Sequence, residues 1–372
     1  MAKQILRYWF LIWLMAAGAA TQAQPVIIGY TNCIASANYS QSLMNQIGQL
    51  KWYFAHASVG DCIMQGVANL HLSNANFYQL QGNSASSSPP GTTQAGVIYG
   101  DARGNPNYYG DYQVKLDLFR TAVSNGWHFP TVNIALTKFC FIDIWYPASS
   151  NTVVALLNSY VNTLTNLEAA YPQTMFVYAT MPLTTTSYSY GTLDTGAPTL
   201  YWRSVYNDSL RAWCRANNRV LFDIADIEAH DTSGNPCTFT YNSRVCQQLW
   251  PGDNAGCDQY CGEAGDSAHP TNPGAESLMA QGFYALAAAT VSRWSSATPA
   301  PVIGSIRVAN GDTIITWSAA AGRTYRLQFL GTPSATNWSD MPPDTLAAGA
   351  TASTTNLVSN SGIRFYRVRL MQ

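Results

Sequence analysis

At about 100 to 200 residues per domain, a chain of 372 residues is expected to hold two domains. With 47% hydrophobic but only 10% charged residues, against about 25% charged in ordinary globular domains, its surface must be built from Ser, Thr, Asn, Gln, Gly and Tyr. Nineteen Lys and Arg against twenty Asp and Glu, a net charge of −1, supply no basic field for a phosphate backbone, and 12% aromatic residues exclude a disordered chain.

Lys3 and Arg7 precede an almost purely apolar run from Tyr8 to Ala20, and Ala23 is the small residue that signal peptidase prefers. That run of 13 residues falls short of the roughly 20 needed to cross a bilayer. Residues 1–23 therefore read as a signal peptide, and the mature chain is expected to be secreted, extracellular or periplasmic, without a membrane span. Eight cysteines, an even number, fit an oxidising compartment: Cys33, Cys62, Cys140, Cys214, Cys237, Cys246, Cys257 and Cys261. The last four lack the paired C-x2-C spacing of a zinc site, so two local disulfides are expected there and no metal. Eight cysteines allow 105 connectivities, which leaves the pairs open. Cys140, at the end of an apolar strand, reads as an inert buried thiol.

Between residues 24 and 298 four apolar runs, Trp52 to Ala55, Val132 to Leu136, Met175 to Thr180 and Val220 to Ile224, look like strands buried on both faces. Helical spacing separates them: Ile63 to Leu70, Val153 to Tyr171, Tyr201 to Asn217 and, at the end, Ala275 to Val291. This alternation predicts a doubly wound α/β domain of flavodoxin-like type, its mostly parallel sheet flanked by helices. Gly82 to Gly110 and His230 to Ala264 read as long polar loops. Ser295 to Pro301 is a small, proline-punctuated linker, with the boundary placed near Pro299. Beyond it Thr313 to Trp317, Thr324 to Phe329 and Phe365 to Leu370 alternate apolar and polar residues, predicting a small antiparallel β-sandwich over 299–372. Six arginines against three aspartates give that module a net charge of +3, suited to an acidic glycan or a cell surface, although a spacer without a ligand has the same texture.

In an open α/β sheet ligands sit outside the carboxyl ends of the strands, so the residues after each run are the candidates for chemistry. Ser58 stands at the first strand-to-helix turn, where a serine either caps the helix or presents its hydroxyl to a cleft. Asp266 precedes His269 by three residues just before the last helix, a spacing that lets a carboxylate hold imidazole Nδ1 and leaves Nε2 free to take a proton from a serine. His56, two residues before Ser58, reads as a packed histidine. Asp223, Asp226 and Glu228 read as loop and cap residues, with a metal site using Asp223, Asp226 and His269 as the rival. Gly-rich phosphate loops are missing from the sequence, so no cofactor is implied.

A serine after the first strand with Asp266-Ser267-Ala268-His269 before the last helix resembles the SGNH/GDSL hydrolase superfamily over roughly residues 50 to 293. The C-terminal stretch resembles a β-sandwich module appended to many secreted bacterial proteins. The first resemblance implies Ser58 as nucleophile, His269 as general base and Asp266 as its orienting carboxylate, hydrolysing an ester through an acyl-serine. Two departures stand out. His56-Ala57-Ser58 replaces the usual Gly-Asp-Ser, and Thr137-Lys138-Phe139-Cys140 stands where the family carries its oxyanion asparagine. Lys138 is the polar group nearest that place, able to stabilise an oxyanion or bind an acidic substituent. The family's middle glycine finds no distinct match among Gly91, Gly96, Gly100 and Gly104. The expected function is a secreted esterase acting on an O-acyl group of a carbohydrate or other extracellular polymer. The alternative is a non-catalytic extracellular carbohydrate- or surface-binding protein that retains the fold.

Overall fold

The computed structural model describes residues 25–83, 94–101, 111–124, 132–171, 174–254, 268–296, 301–309, 312–320, 323–332, 337–357 and 364–371. The chain divides into two compact units, 1–291 and 292–372. Among the described residues of the first unit, seven parallel strands form one sheet: β1 (Val26–Ile28), β2 (Trp52–Ala55), β3 (Gln81–Asn83), β4 (Val97–Asp101), β5 (Ile134–Thr137), β6 (Met175–Ala179) and β7 (Val220–Phe222). Their order is β1-β7-β6-β5-β2-β4-β3. The central five, β4-β2-β5-β6-β7, follow the 2-1-3-4-5 order of a doubly wound sheet, whose direction of winding reverses between β2 and β5.

The alternation of side chains along each strand explains why both faces are covered. Trp52, Phe54, Ile134, Leu136, Val177, Val220 and Phe222 point to one core, shared with helices α1 (Tyr30–Ser36), α2 (Gln41–Ile47), α3 (Val59–Ser73), α7 (Ile224–Glu228) and α8 (Pro273–Ser296). Tyr53, Ala55, Ala135, Phe176, Tyr178 and Leu221 point to the other, shared with α4 (Tyr112–Ser124), α5 (Ser150–Ala170) and α6 (Ala197–Ala216). The four expected runs thus become β2, β5, β6 and β7. The last stops at Phe222 because the Asp223 carboxylate caps α7, accepting the Asp226 amide.

Two stretches expected as loops carry structure. The Gly82 to Gly110 segment supplies β4, which pairs with β2 over Trp52–Ala55. Within His230 to Ala264, Thr238–Tyr241 (β8) and Arg244–Gln247 (β9) form an antiparallel hairpin, turned by Asn242 and Ser243, both at positive φ. Cys237 and Cys246 have free thiols. Cys246 faces Phe239 across this hairpin, so Cys237, two residues earlier, lies on a diagonal of about 7–8 Å, beyond the roughly 4.4–6.8 Å of a disulfide. The expected pairing is not made by these two cysteines, while Cys257 and Cys261 lie outside the described residues. Residues 1–23, expected as a signal peptide, also lie outside them. No helix of the described residues is long and apolar enough to cross a membrane.

The second unit holds two three-stranded antiparallel sheets. One is β10 (Ile303–Ala309), β11 (Asp312–Ser318) and β14 (Thr351–Leu357). The other is β13 (Ser339–Leu346), β12 (Thr324–Leu330) and β15 (Phe365–Leu370). Ile315 and Trp317 from the first and Tyr325 and Leu327 from the second enter one apolar cluster.

Beneath the carboxyl end of β5, Lys115 of α4 reaches Asp143 with Nζ 2.7 and 2.8 Å from its two oxygens. Both side chains are buried, and Asp143 also accepts the Cys140 amide at 2.8 Å, so the pair fixes the turn that follows β5. Removing one partner strands the other charge away from water. Lys115→Met is expected to lower unfolding free energy by about 3–5 kcal/mol, measured by urea denaturation.

Candidate functional site

At the carboxyl end of β2 the chain turns abruptly into α3, and Ser58 makes the turn at φ 59 and ψ −117. A residue with a Cβ is disfavoured there by about 1–3 kcal/mol, a cost retained where surrounding structure holds the conformation. The hydroxyl makes no side-chain cap bond to α3. Instead Ser58 Oγ lies 2.5 Å from His269 Nε2, a contact spanning 211 positions of sequence. Ser58 is half-buried and its oxygen is directed at imidazole.

His269 sits on the loop entering α8, where the Thr271 amide donates to the His269 carbonyl at 3.0 Å and the Asn272 amide to that of Asp253 at 2.8 Å. The edge of its ring meets Phe141, with centroids 5.4 Å apart. Asp266, expected to orient it, lies outside the described residues. Cys140, read from sequence as inert, has its sulfur 3.8 Å from Ser58 Oγ.

Lys138 follows β5 directly. Since Ala55 pairs with Thr137, Lys138 lies on the strand end beside the one that leads to Ser58. It is buried and makes no hydrogen bond among the described residues. Burial holds its ammonium below the ordinary lysine range; Lys115 pushes the same way, while Cys140, Asp61 and Glu228 oppose. Asp61 and Cys140 both touch Ser58.

The other carboxylates do structural work. Arg211 holds Asp223 through two bonds of 2.7 Å, and Asp226 accepts the Tyr30 amide at 2.9 Å. Glu228 is buried and accepts the Leu183 amide at 2.7 Å. These are the loop and cap duties read from the sequence.

Three participants escaped sequence reasoning. Asp61 accepts the Ser58 amide at 2.7 Å; its position three residues after a serine at a helix start was the available signal. Phe141 supports His269. Arg203, fully buried in α6, donates to the carbonyls of Phe141 at 2.7 Å and Ile144 at 3.3 Å, to Thr184 Oγ1 at 3.0 Å, and to Asp194. It binds together the loops after β5 and β6, and an arginine among the apolar positions of a helix was its only mark. Those loops expose Tyr146, Tyr190 and Leu193. Trp145 packs edge-on to Tyr190 at 6.3 Å, and Tyr188 against Phe141 at 5.4 Å. A serine hydroxyl touching an imidazole, and a buried lysine at the neighbouring strand end, are groups that acyl transfer can use.

No family model matches the chain, and no curated protein matches it. Among solved structures, a Bacteroides fragilis protein named as an acylhydrolase aligns at 13% identity and TM-score 0.35, over 65% of this chain and 92% of its own. A gut microbial diltiazem-metabolizing enzyme aligns at 10% and 0.33, over 79% and 61%. The periplasmic domain of a Salmonella Paratyphi A lipopolysaccharide acetyltransferase aligns at 10% and 0.33, over 67% and 92%. Overlaps this partial carry no inference about activity.

Asp253 lies buried on the short helical turn Pro251–Asn254, and burial pushes its carboxyl up to about 8. From the ordinary carboxylate value of about 3.9 up to about 8, the folded state keeps a proton that the unfolded state releases, so this group removes stability as pH rises. Asp253→Asn is expected to flatten that decline, measured by urea midpoints at about pH 5 and about pH 8. Glu228, raised by the same burial, retains part of the slope.

Proposed function

We propose that this protein is an exported serine esterase of the SGNH type that removes an O-acyl group from a carbohydrate or another extracellular polymer. The contact between Ser58 Oγ and His269 Nε2 carries the proposal. In the reaction Ser58 Oγ attacks the ester carbonyl carbon and its proton passes to His269 Nε2. Collapse of the tetrahedral intermediate breaks the carbon–oxygen bond to the alcohol, which departs with that proton and leaves an acyl-serine. Water, deprotonated by the same imidazole, attacks the acyl carbon and frees the acid and the serine. Asp266 is assigned to Nδ1 of His269.

The oxyanion falls to Lys138. Its placement at the end of β5, its burial and its charge beside Asp61 support this role. A cation in a water-poor site stabilises a developing negative charge far better than one in solvent. The polymer assignment is supported by the exposed Tyr146 and Tyr190, with Trp145 behind them, whose rings offer faces to a sugar. In the second unit Arg367 lies over the Trp338 ring at 4.4 Å and Arg364 over Phe329 at 4.5 Å. These give a sandwich-type accessory domain the means to hold an acidic glycan. Export rests on the N-terminal signal pattern and the apolar-polar balance of the chain.

Intact mass after treatment with a fluorophosphonate tests the serine directly. Wild type is expected to gain one adduct, and Ser58→Ala and His269→Ala to gain none, with activity insensitive to chelator. A folded wild type that takes no adduct would favour the non-catalytic binding protein, and loss of activity to chelator the metal-dependent one. For the oxyanion, Lys138→Met is expected to lower kcat on an aryl acetate by about 10²–10³ with KM little changed.

A further inference from the structure

The esterase assignment leaves open what keeps Ser58 in a backbone conformation that side chains with a Cβ avoid. Ordinary helix capping cannot do so alone, since the serine oxygen has been given to His269 and not to α3. Half of the capping arrangement survives. The Ser58 amide still donates to Asp61 Oδ2 at 2.7 Å. The other oxygen of Asp61 lies 3.1 Å from His56 Nδ1.

His56 is an unusual anchor to find at the end of a buried strand. It is almost fully enclosed and rests on Phe54 with ring centroids 4.6 Å apart. Two glycines make room for it. A Cβ on Gly60 would stand 2.3 Å from His56 Cβ, and one on Gly100 would stand 2.4 Å from His56 Nε2. Neither distance is physically tolerable, so the ring fills the space both glycines leave, with Nδ1 toward Asp61. Phe54, Gly60 and Gly100 come from β2, α3 and β4. The imidazole is therefore fixed by three elements before it meets the carboxylate.

We infer that Asp61 and His56 are a positioning pair, with His56 aligning Asp61 and Asp61 holding the Ser58 amide so that Oγ meets His269. Neither touches the reacting atoms in this arrangement. The inference rests on the esterase assignment for its catalytic consequence, and on geometry alone for its structural one. It also has a corollary for the oxyanion. An amide already donating to a carboxylate is not free to donate to substrate, so stabilisation of the tetrahedral intermediate is not assigned to Ser58 N–H but to Lys138 at the neighbouring strand end. The charge balance is consistent. Burial acts to raise the Asp61 carboxyl, but the adjacent His56, the Lys138 charge and the Ser58 amide together hold it below the ordinary range.

Asp61→Ala and Asp61→Asn separate positioning from simple helix stabilisation. Asparagine retains an oxygen that can accept the Ser58 amide; alanine does not. With an aryl acetate as probe, Asp61→Ala is expected to lose about 10²-fold in kcat with KM within about twofold, and Asp61→Asn to recover most of that loss. The rate of fluorophosphonate labelling should fall and recover in parallel. A kcat that stays level or rises in Asp61→Ala, with thermal stability alone reduced, would overturn the inference, because a cap affects how much protein is folded and not how the folded serine reacts. Crystal structures of wild type and Asp61→Ala decide the structural half independently of activity. Departure of Ser58 from positive φ and of Oγ from His269 in the variant supports the pair even if wild type proves inert toward esters, and an unchanged Ser58 refutes it.

Discussion

The reversal of winding between β2 and β5 is the constraint on which the site depends. A parallel sheet needs a helical crossover after every strand, and where successive crossovers leave to opposite faces the loops diverge and a crevice opens at the carboxyl ends. Here α3 leaves β2 for one face and α4 and α5 occupy the other. Ser58 and Lys138 each follow one of these strands, whose ends Ala55 and Thr137 are in register. A slip of one residue would turn every alternate side chain to the other face, and with it Trp52 and Phe54 out of their core.

So few charged residues make the disposition of each buried one informative. Lys115 with Asp143, Arg203 with Asp194 and Arg211 with Asp223 are pairs enclosed in the protein. Each ties a loop at the carboxyl edge of the sheet to a helix behind it: the turn after β5, the loop after β6, and the start of α7. Buried pairs of this kind add little net stability over apolar packing but are costly to break singly, and they define where the loop lies. Lys138 differs from these scaffolding cations in having no hydrogen-bonded partner among the described residues.

The aromatic residues divide in a similar way. Tyr53, Tyr160, Tyr178 and Tyr206 are fully buried, and the Tyr160 hydroxyl donates to the Thr137 carbonyl at 2.7 Å while accepting the Ala179 amide at 3.0 Å. It thus replaces ladder bonds where β5 and β6 separate. Tyr146 and Tyr190 stay half-exposed on the loops that Arg203 joins. One residue type therefore closes the sheet at its frayed end and presents rings to solvent just beyond it.

The sequence by itself determined the central strands and the principal helices, since a strand buried on both faces must be continuously apolar and a helix on one face must repeat every three or four residues. It also identified Ser58 and His269 as candidates, because a serine at a strand-to-helix turn and an imidazole before the last helix are local patterns. β4 was not legible: Val97–Asp101 is short, contains Gly100 and is flanked by polar stretches, and it becomes a strand only because β2 offers an unpaired edge. Nor was the role of Asp61, which by spacing alone is a helix cap and acquires its meaning from His56 and from the loss of the serine oxygen to His269. Contacts across some two hundred residues, and an amide's choice of acceptor, are set by how elements pack. Local patterning specifies which side chains can do chemistry, whereas only the tertiary structure decides which of them meet.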